Sequence, residues 1–102
     1  MDIHNLWSRI VDCLRRTSEI RYWSVAGRTR ASSFRILNVN DFYVEVQPES
    51  GGVQRIPRRD FELVLEVWDG YKSGRVKRCQ LRDLTRFSSY IISIIHHCLK
   101  SG

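Results

Sequence analysis

The chain lacks any apolar stretch long enough to cross a membrane, and it lacks a secretory start. A membrane-spanning helix needs about 20 predominantly apolar residues, and no stretch of this sequence approaches that length. The residues after Met1 contain Asp and Arg instead of a basic start followed by an apolar run. We therefore expect no membrane partner and a cytoplasmic location.

Cysteine is scarce, and its spacing is unfavourable for a cross-linked or metal-binding protein. Cys13, Cys79 and Cys98 are odd in number and lie far apart. Disulfide frameworks use even numbers of cysteines, and metal or redox sites use Cys-x-x-Cys pairs. The cysteines thus predict neither a disulfide framework nor a metal site, and they indicate a reducing compartment.

Lysine is also scarce in a chain whose net charge is +6. Fourteen of the 17 basic residues are arginine, against 11 acidic residues. Arginine presents a planar fork of donors that suits phosphate groups and guanine edges. The composition favours an anionic partner, with the codon preference of a GC-rich genome as the alternative explanation.

Candidate catalytic groups fail on geometry or on surroundings. His96, His97 and Cys98 are consecutive in a predicted helix, where successive side chains point about 100° apart and cannot share a metal ion. Cys13 and Cys98 lie at or near apolar helix faces, where burial keeps a thiol unreactive. We interpret the acidic residues between 60 and 69 as the solvent-exposed face of a helix. We predict no enzyme, no cofactor, no metal and no small-molecule substrate.

The chain contains enough apolar residues to form the core of one domain. Its 102 residues are 42% hydrophobic, which suffices for a single core. Apolar residues recur at helical spacing from Ile3 to Leu14, and Asp2 is placed to cap that helix. The predicted single domain spans residues 1 to 102, with its N-terminal helix in residues 1 to 18.

The middle of the chain, residues 19 to 56, has the two-residue alternation of β-strands. Phe34 and Phe42 occupy apolar strand positions and are assigned to the core. A Gly- and Pro-containing turn occupies residues 48 to 52. The predicted strands are residues 20 to 25, 33 to 39, 42 to 47 and 53 to 56, the first being the least regular.

Residues 57 to 102 return to helical spacing, and Pro57 suits a first helical turn. Ser88 or Ser89 is the expected N-cap of the last helix. The predicted helices are residues 57 to 71, 78 to 84 and 88 to 99. The predicted class is therefore α+β: an N-terminal helix, a small antiparallel sheet of three or four strands, then three helices.

Charge is segregated along the chain. Residues 21 to 35 hold four arginines and no acid, residues 41 to 69 hold seven acids and three arginines, and residues 72 to 86 hold six basic residues and one acid. If the two basic segments meet in space, they form a positive face of the kind that binds a phosphate backbone. The alternative is a solvated surface whose cations pair with the acidic segment.

The last quarter of the chain, residues 78 to 100, resembles a helix-turn-helix DNA-binding module: a short helix, a tight connection and a longer helix. Its turn departs from the usual pattern because it has no glycine. The resemblance implies that the longer helix reads bases while neighbouring cations hold phosphates. The implied readers are Ser89, Tyr90 and Ser93; the candidate phosphate contacts are Arg75, Lys77, Arg78, Arg82, Arg86, Arg28 and Arg30.

We therefore predict a nucleic-acid-binding domain that binds duplex DNA. The main alternative is a protein-interaction module or regulatory subunit, as a homodimer or with a larger protein, using the isoleucine-rich last helix or the acidic face of residues 60 to 69. A third possibility is RNA binding through aromatic residues near the sheet, with Trp23 and Tyr43 stacking on unpaired bases.

Overall fold

The computed structural model describes residues 2 to 23 and 32 to 99, and it has the predicted α+β architecture. A helix precedes a four-stranded antiparallel sheet, and further helices follow. The elements in chain order are α1 (Ile3–Arg15), β1 (Glu19–Arg21), β2 (Ser33–Val39), β3 (Tyr43–Pro48), β4 (Gln54–Pro57), α2 (Arg58–Glu66), α3 (Trp68–Ser73), α4 (Arg78–Leu84) and α5 (Ser88–Leu99). Asp2 caps α1 as predicted, since its carboxylate accepts a hydrogen bond from His4 N–H at 2.9 Å.

The strands lie in the order β1-β2-β3-β4, so each strand pairs with its sequence neighbour. The register places Phe34 opposite Ile20, and Ile36 opposite Val46. Beyond Ile36 the pairing shifts by one residue, so that Asn38 faces Glu45. This bulge inserts Leu37 as an extra residue. It keeps Val39 on the apolar face, because a one-residue slip moves a side chain to the other side of a sheet.

Helix α5 lies at the centre of the molecule. Its residues from 91 to 95 are all buried, and it packs against α1, α2, α4 and β1. The isoleucine-rich face that could have been offered to a partner therefore belongs to the internal core. Among the described residues, no helix is long and apolar enough to span a membrane.

The predicted helix of residues 57 to 71 is two helices, α2 and α3. The backbone at Val67 leaves the helical region, with φ −113° and ψ 12°. Trp68 and Tyr71 remain buried beyond the break. Because the apolar spacing continues through Val67, the sequence pattern does not reveal this break between α2 and α3. Pro57 ends β4 and caps α2, so it lies one residue before the first helical turn.

The assignment of Phe42 to the core is wrong. Its side chain is 78% exposed, whereas Val44 and Val46 are fully buried. Phe42 precedes β3 and belongs to the turn, where Asn40 Oδ1 accepts hydrogen bonds from Phe42 N–H at 2.8 Å and Tyr43 N–H at 3.0 Å. With this side-chain cap, β3 begins one residue later than predicted.

The expectation that no cysteines pair is also wrong. Cys13 in α1 and Cys98 in α5 form a disulfide, with their Cα atoms 5.7 Å apart, and Cys79 is a free, exposed thiol. The partners are 85 residues apart in sequence, so only the packing of α1 against α5 brings them together. The disulfide removes the ground on which the sequence indicated a reducing compartment.

Two connections set the position of α4. Gly74 ends α3 with a left-handed φ of +86°, a conformation that favours glycine because it has no Cβ. After α4, Thr85 Oγ1 accepts from Phe87 N–H at 3.0 Å and donates to Asp60 Oδ2 at 2.8 Å. The carbonyl of Phe87 accepts from the amides of the next turn. Phe87, not Ser88 or Ser89, therefore occupies the N-cap position of α5.

Candidate nucleic-acid interface

The basic segment of residues 72 to 86 is almost entirely on the surface. Leu81 is fully buried and anchors α4 to the core, where α4 contacts α2 and α5. The remaining positions of α4 are exposed or half-buried. The exposed cations of the segment are Lys72, Arg75, Lys77, Arg82 and Arg86.

The acidic segment of residues 41 to 69 does not neutralise this surface. Two of its carboxylates pair with arginines of the same segment, Glu45 with Arg55 at 3.1 Å and Glu62 with Arg58 at 3.2 Å. A looser pair joins Lys72 to Asp69 at 3.8 Å. Every aspartate and glutamate of the chain lies within the described residues. Among those residues, the basic side chains from 75 to 86 form no ion pair.

Arg78 is the half-buried cation of the segment. Its Nη2 donates a hydrogen bond to Ser89 Oγ at 2.7 Å, across the α4–α5 connection. Its Nε is buried and has no hydrogen-bond partner among the described residues. Arg86 is held differently, because its guanidinium carbon lies 4.8 Å from the centre of the Phe87 ring.

The three predicted base readers take part in internal contacts. Ser93 is 1% exposed; its hydroxyl donates to Ser89 O at 2.8 Å and accepts from Trp23 N–H at 2.9 Å. Tyr90 packs edge-on against Phe34, with ring centres 5.1 Å apart. Ser89 accepts from Arg78. Each described residue of α5 is buried or half-buried, so this helix has no exposed face like that which a recognition helix presents to a groove.

The described arginines of the first basic segment lie apart from α4. Arg21 in β1 and Arg35 in β2 are exposed and alternate with the buried Ile20 and Phe34. They therefore lie on the outer face of the sheet, while α4 packs on helices α2 and α5. Arg28 and Arg30 lie outside the described residues.

Two aromatic side chains near the sheet, Trp23 and Tyr43, are already packed, whereas Phe42 is exposed. Trp23 stacks on His96, with ring centres 3.8 Å apart and planes 4° from parallel. Tyr43 lies under the Arg55 guanidinium, 4.4 Å from its carbon. Each ring therefore already has a stacking partner on one face.

Sequence patterns did not reveal the pairing of Tyr22 with Tyr90. The ring centres are 5.9 Å apart. Burial, followed by the interaction with the Tyr90 side chain and then by the charge of Glu49, raises the pKa of Tyr22 to about 12. The pair joins the end of β1 to the first turn of α5, an arrangement that depends on residues 68 positions apart.

Metal-ligating residues are dispersed. Within residues 2 to 23 and 32 to 99, no three His, Cys, Asp or Glu side chains are placed to hold a metal ion. Asp60 accepts from Thr85, and Glu62 is paired with Arg58. Asp60 therefore links α2 to the turn after α4, whereas the pair of Glu62 with Arg58 lies within α2.

Comparison of the chain with protein-family models, curated proteins and solved structures finds no match. Its function has to be inferred from its own residues.

Proposed function

We propose that this protein binds nucleic acid, as duplex DNA, by contacting the phosphate backbone with the basic surface of residues 72 to 86. The surface comprises α4, the loop before it and the turn after it. Phosphate contacts supply most of the affinity of sequence-independent DNA binding. The surface is suited to that role.

The observation that carries the proposal is that the exposed cations of this surface form no ion pair among the described residues, except Lys72 with Asp69. Among the described residues, the cations from Arg75 to Arg86 have no carboxylate partner, although seven acids lie in the preceding segment. A cluster of like charges without counter-ions destabilises a folded chain through repulsion. Binding a polyanion removes that repulsion and releases the counter-ions condensed on the DNA.

A duplex fits this surface better than single-stranded RNA does. Proteins that bind single strands use exposed aromatic rings as stacking platforms. Here Tyr22 and Trp23 are packed against α5, and Tyr43 lies under Arg55. Phe42 is exposed, but it belongs to the turn before β3 and not to the basic surface. The exposed cations of residues 72 to 86 are suited to phosphate contacts instead. The burial of Ser93 and the internal packing of Tyr90 favour binding that depends little on base sequence.

The test is the affinity for duplex DNA of the double variant Arg82→Ala with Arg86→Ala. Fluorescence anisotropy with a labelled duplex of mixed sequence, at several salt concentrations, reports affinity and salt dependence together. We expect the double variant to bind about tenfold more weakly and the slope of log affinity against log salt to fall by about two. The loss should be the same for duplexes of different sequence.

The matched control removes the same two charges from another surface. Arg9 in α1 and Arg16, the C-cap residue of α1, are exposed, so Arg9→Ala with Arg16→Ala keeps the same net charge as the first variant. At physiological salt, where charges are screened over about 8 Å, we expect the affinity of this control variant for the duplex to fall by about twofold or less. Equal losses in both double variants would mean that only net charge matters. Binding stronger to a single strand than to a duplex would favour RNA or single-stranded DNA.

A further inference from the structure

Arg78 differs from the other cations of the basic surface because it is half-buried and is held by a hydrogen bond to another helix. Its backbone is in α4, its side chain crosses to α5, and Ser89 Oγ accepts from its Nη2 at 2.7 Å. The neighbouring Arg82 is exposed, and its guanidinium has no described hydrogen bond that would orient it. A long exposed side chain loses much of its conformational freedom on binding, whereas one already ordered loses less.

The surroundings of Arg78 do not compensate its charge. Its Nε is buried without a partner, and among the described residues, which include every aspartate and glutamate of the chain, its guanidinium contacts no carboxylate. A neutral hydroxyl is its one described acceptor. Partly burying a cation in this way is costly unless an anion completes its hydrogen bonds.

The guanidinium is also oriented. The Nε edge faces the protein interior, since that nitrogen is buried, and Nη2 is tied to Ser89. The end of the fork formed by Nη1 and Nη2 is therefore the side on which a ligand can approach. Nη2 has a second N–H besides the one that it donates to Ser89. That N–H and one N–H of Nη1 form a parallel pair that matches two oxygens of one phosphate group, a geometry that lysine cannot supply.

We infer that Arg78, positioned by Ser89, is the specific phosphate-binding residue of this surface and binds one phosphodiester group through two parallel hydrogen bonds. The exposed Arg82, which has no described hydrogen bond, acts as an unoriented charge. This inference rests on the proposed function, because it takes the phosphate to belong to duplex DNA.

The test compares substitutions that keep the charge and remove the fork. Arg78→Lys should weaken binding to the duplex about tenfold, while the salt slope stays unchanged because the number of charges is the same. Arg82→Lys should weaken binding to the duplex about twofold, since one unoriented charge is replaced by another. Arg9→Lys on α1 is the control for substitution at a remote site. Melting curves of each variant establish that it is folded.

A second measurement follows the guanidinium itself. In nuclear magnetic resonance spectra of the whole protein, the Arg78 side-chain N–H signals should shift on addition of the duplex, and rotation about its Cζ–Nη bonds should slow. Ser89→Ala removes the positioning hydroxyl and should weaken binding about threefold. Its effect should largely disappear when Arg78 is already lysine, because the two residues act as a unit.

The outcomes separate this inference from the proposed function. If the native protein binds the duplex, but Arg78→Lys is folded and binds equally well, or loses no more than Arg82→Lys, the inference about Arg78 is wrong and the proposed function stands. If the native protein does not bind the duplex, both are wrong. Binding to vesicles of anionic phospholipid but not to DNA, lost in Arg78→Lys, would also overturn both by identifying a lipid phosphate.

Discussion

Tyr22 makes the stability of this protein sensitive to alkaline pH. Burial raises the pKa of Tyr22 from 10.0 to about 12, and the interaction with the Tyr90 side chain and the charge of Glu49 act in the same direction. All of these favour the neutral phenol in the folded state. The unfolded chain has no such environment, so its Tyr22 ionises at the ordinary pKa.

We expect the free energy of unfolding to fall as pH rises from about 10 to about 12. Below pH 10 both states hold the proton and the contribution of Tyr22 is complete. Above it the unfolded state loses the proton first, so stability falls until pH passes the folded-state pKa. Denaturant unfolding at a series of pH values measures this. Tyr22→Phe should be less sensitive in that window, and parallel curves for the two proteins would contradict the assignment.

Polar residues show why candidate sites are hard to identify from sequence. Ser93 was a predicted base-reading residue, yet it is buried and hydrogen bonded to Trp23 N–H and Ser89 O. A buried serine that satisfies backbone groups has the same sequence pattern as an exposed serine. What distinguishes them is the chain segment that packs over the helix.

Among the elements, α1 and α5 are joined both by packing and by the disulfide between Cys13 and Cys98. The bond closes a loop that contains the sheet and helices α2, α3 and α4. Closing so long a loop restricts the unfolded chain strongly, and a native disulfide contributes typically about 2–4 kcal/mol to stability. Helix α5 also carries Ser89, so its fixed position bears on the basic surface.

We expect Cys13→Ser with Cys98→Ser to lower the free energy of unfolding by about 2–4 kcal/mol. In thermal melts, a reducing agent should lower the stability of the native protein by the same amount as the double substitution does. It should not lower the stability of the double variant further. Cys79→Ser is the control, since that thiol is free and exposed. If a reducing agent leaves the melting temperature of the native protein unchanged, or if thiol titration finds three free cysteines, the disulfide assignment is wrong.

At the scale of the whole molecule, one core connects every helix and strand. Its buried members include Trp7 from α1, Phe34 from β2, Phe61 from α2, Leu81 from α4 and Ile92 from α5. Because each element relies on this shared core, we expect the chain to unfold in one cooperative step. Tryptophan fluorescence and far-ultraviolet circular dichroism should then give coincident thermal transitions. An earlier fluorescence transition would reveal a separately unfolding part.

The sequence determined most element types because helix and strand periodicity is local. The predicted bounds agree with the structure to within a residue for β2, α4 and α5. The interruption at Val67 was not predictable, since Val64 and Leu65 before it and Trp68 and Tyr71 after it continue the apolar spacing. Phe42 was misplaced because alternation alone does not show where a strand ends.

The candidate site was only partly determined by the sequence. The arginine-rich composition and the clustering of charge in residues 72 to 86 are properties of the chain alone. The tertiary structure decided that the cations from Arg75 to Arg86 form no ion pair within the described residues, that Arg78 is held by Ser89, that Ser93 is buried and that Cys13 meets Cys98. Each of these depends on residues brought together from separate elements, and periodicity along the chain carries no record of which elements pack against each other.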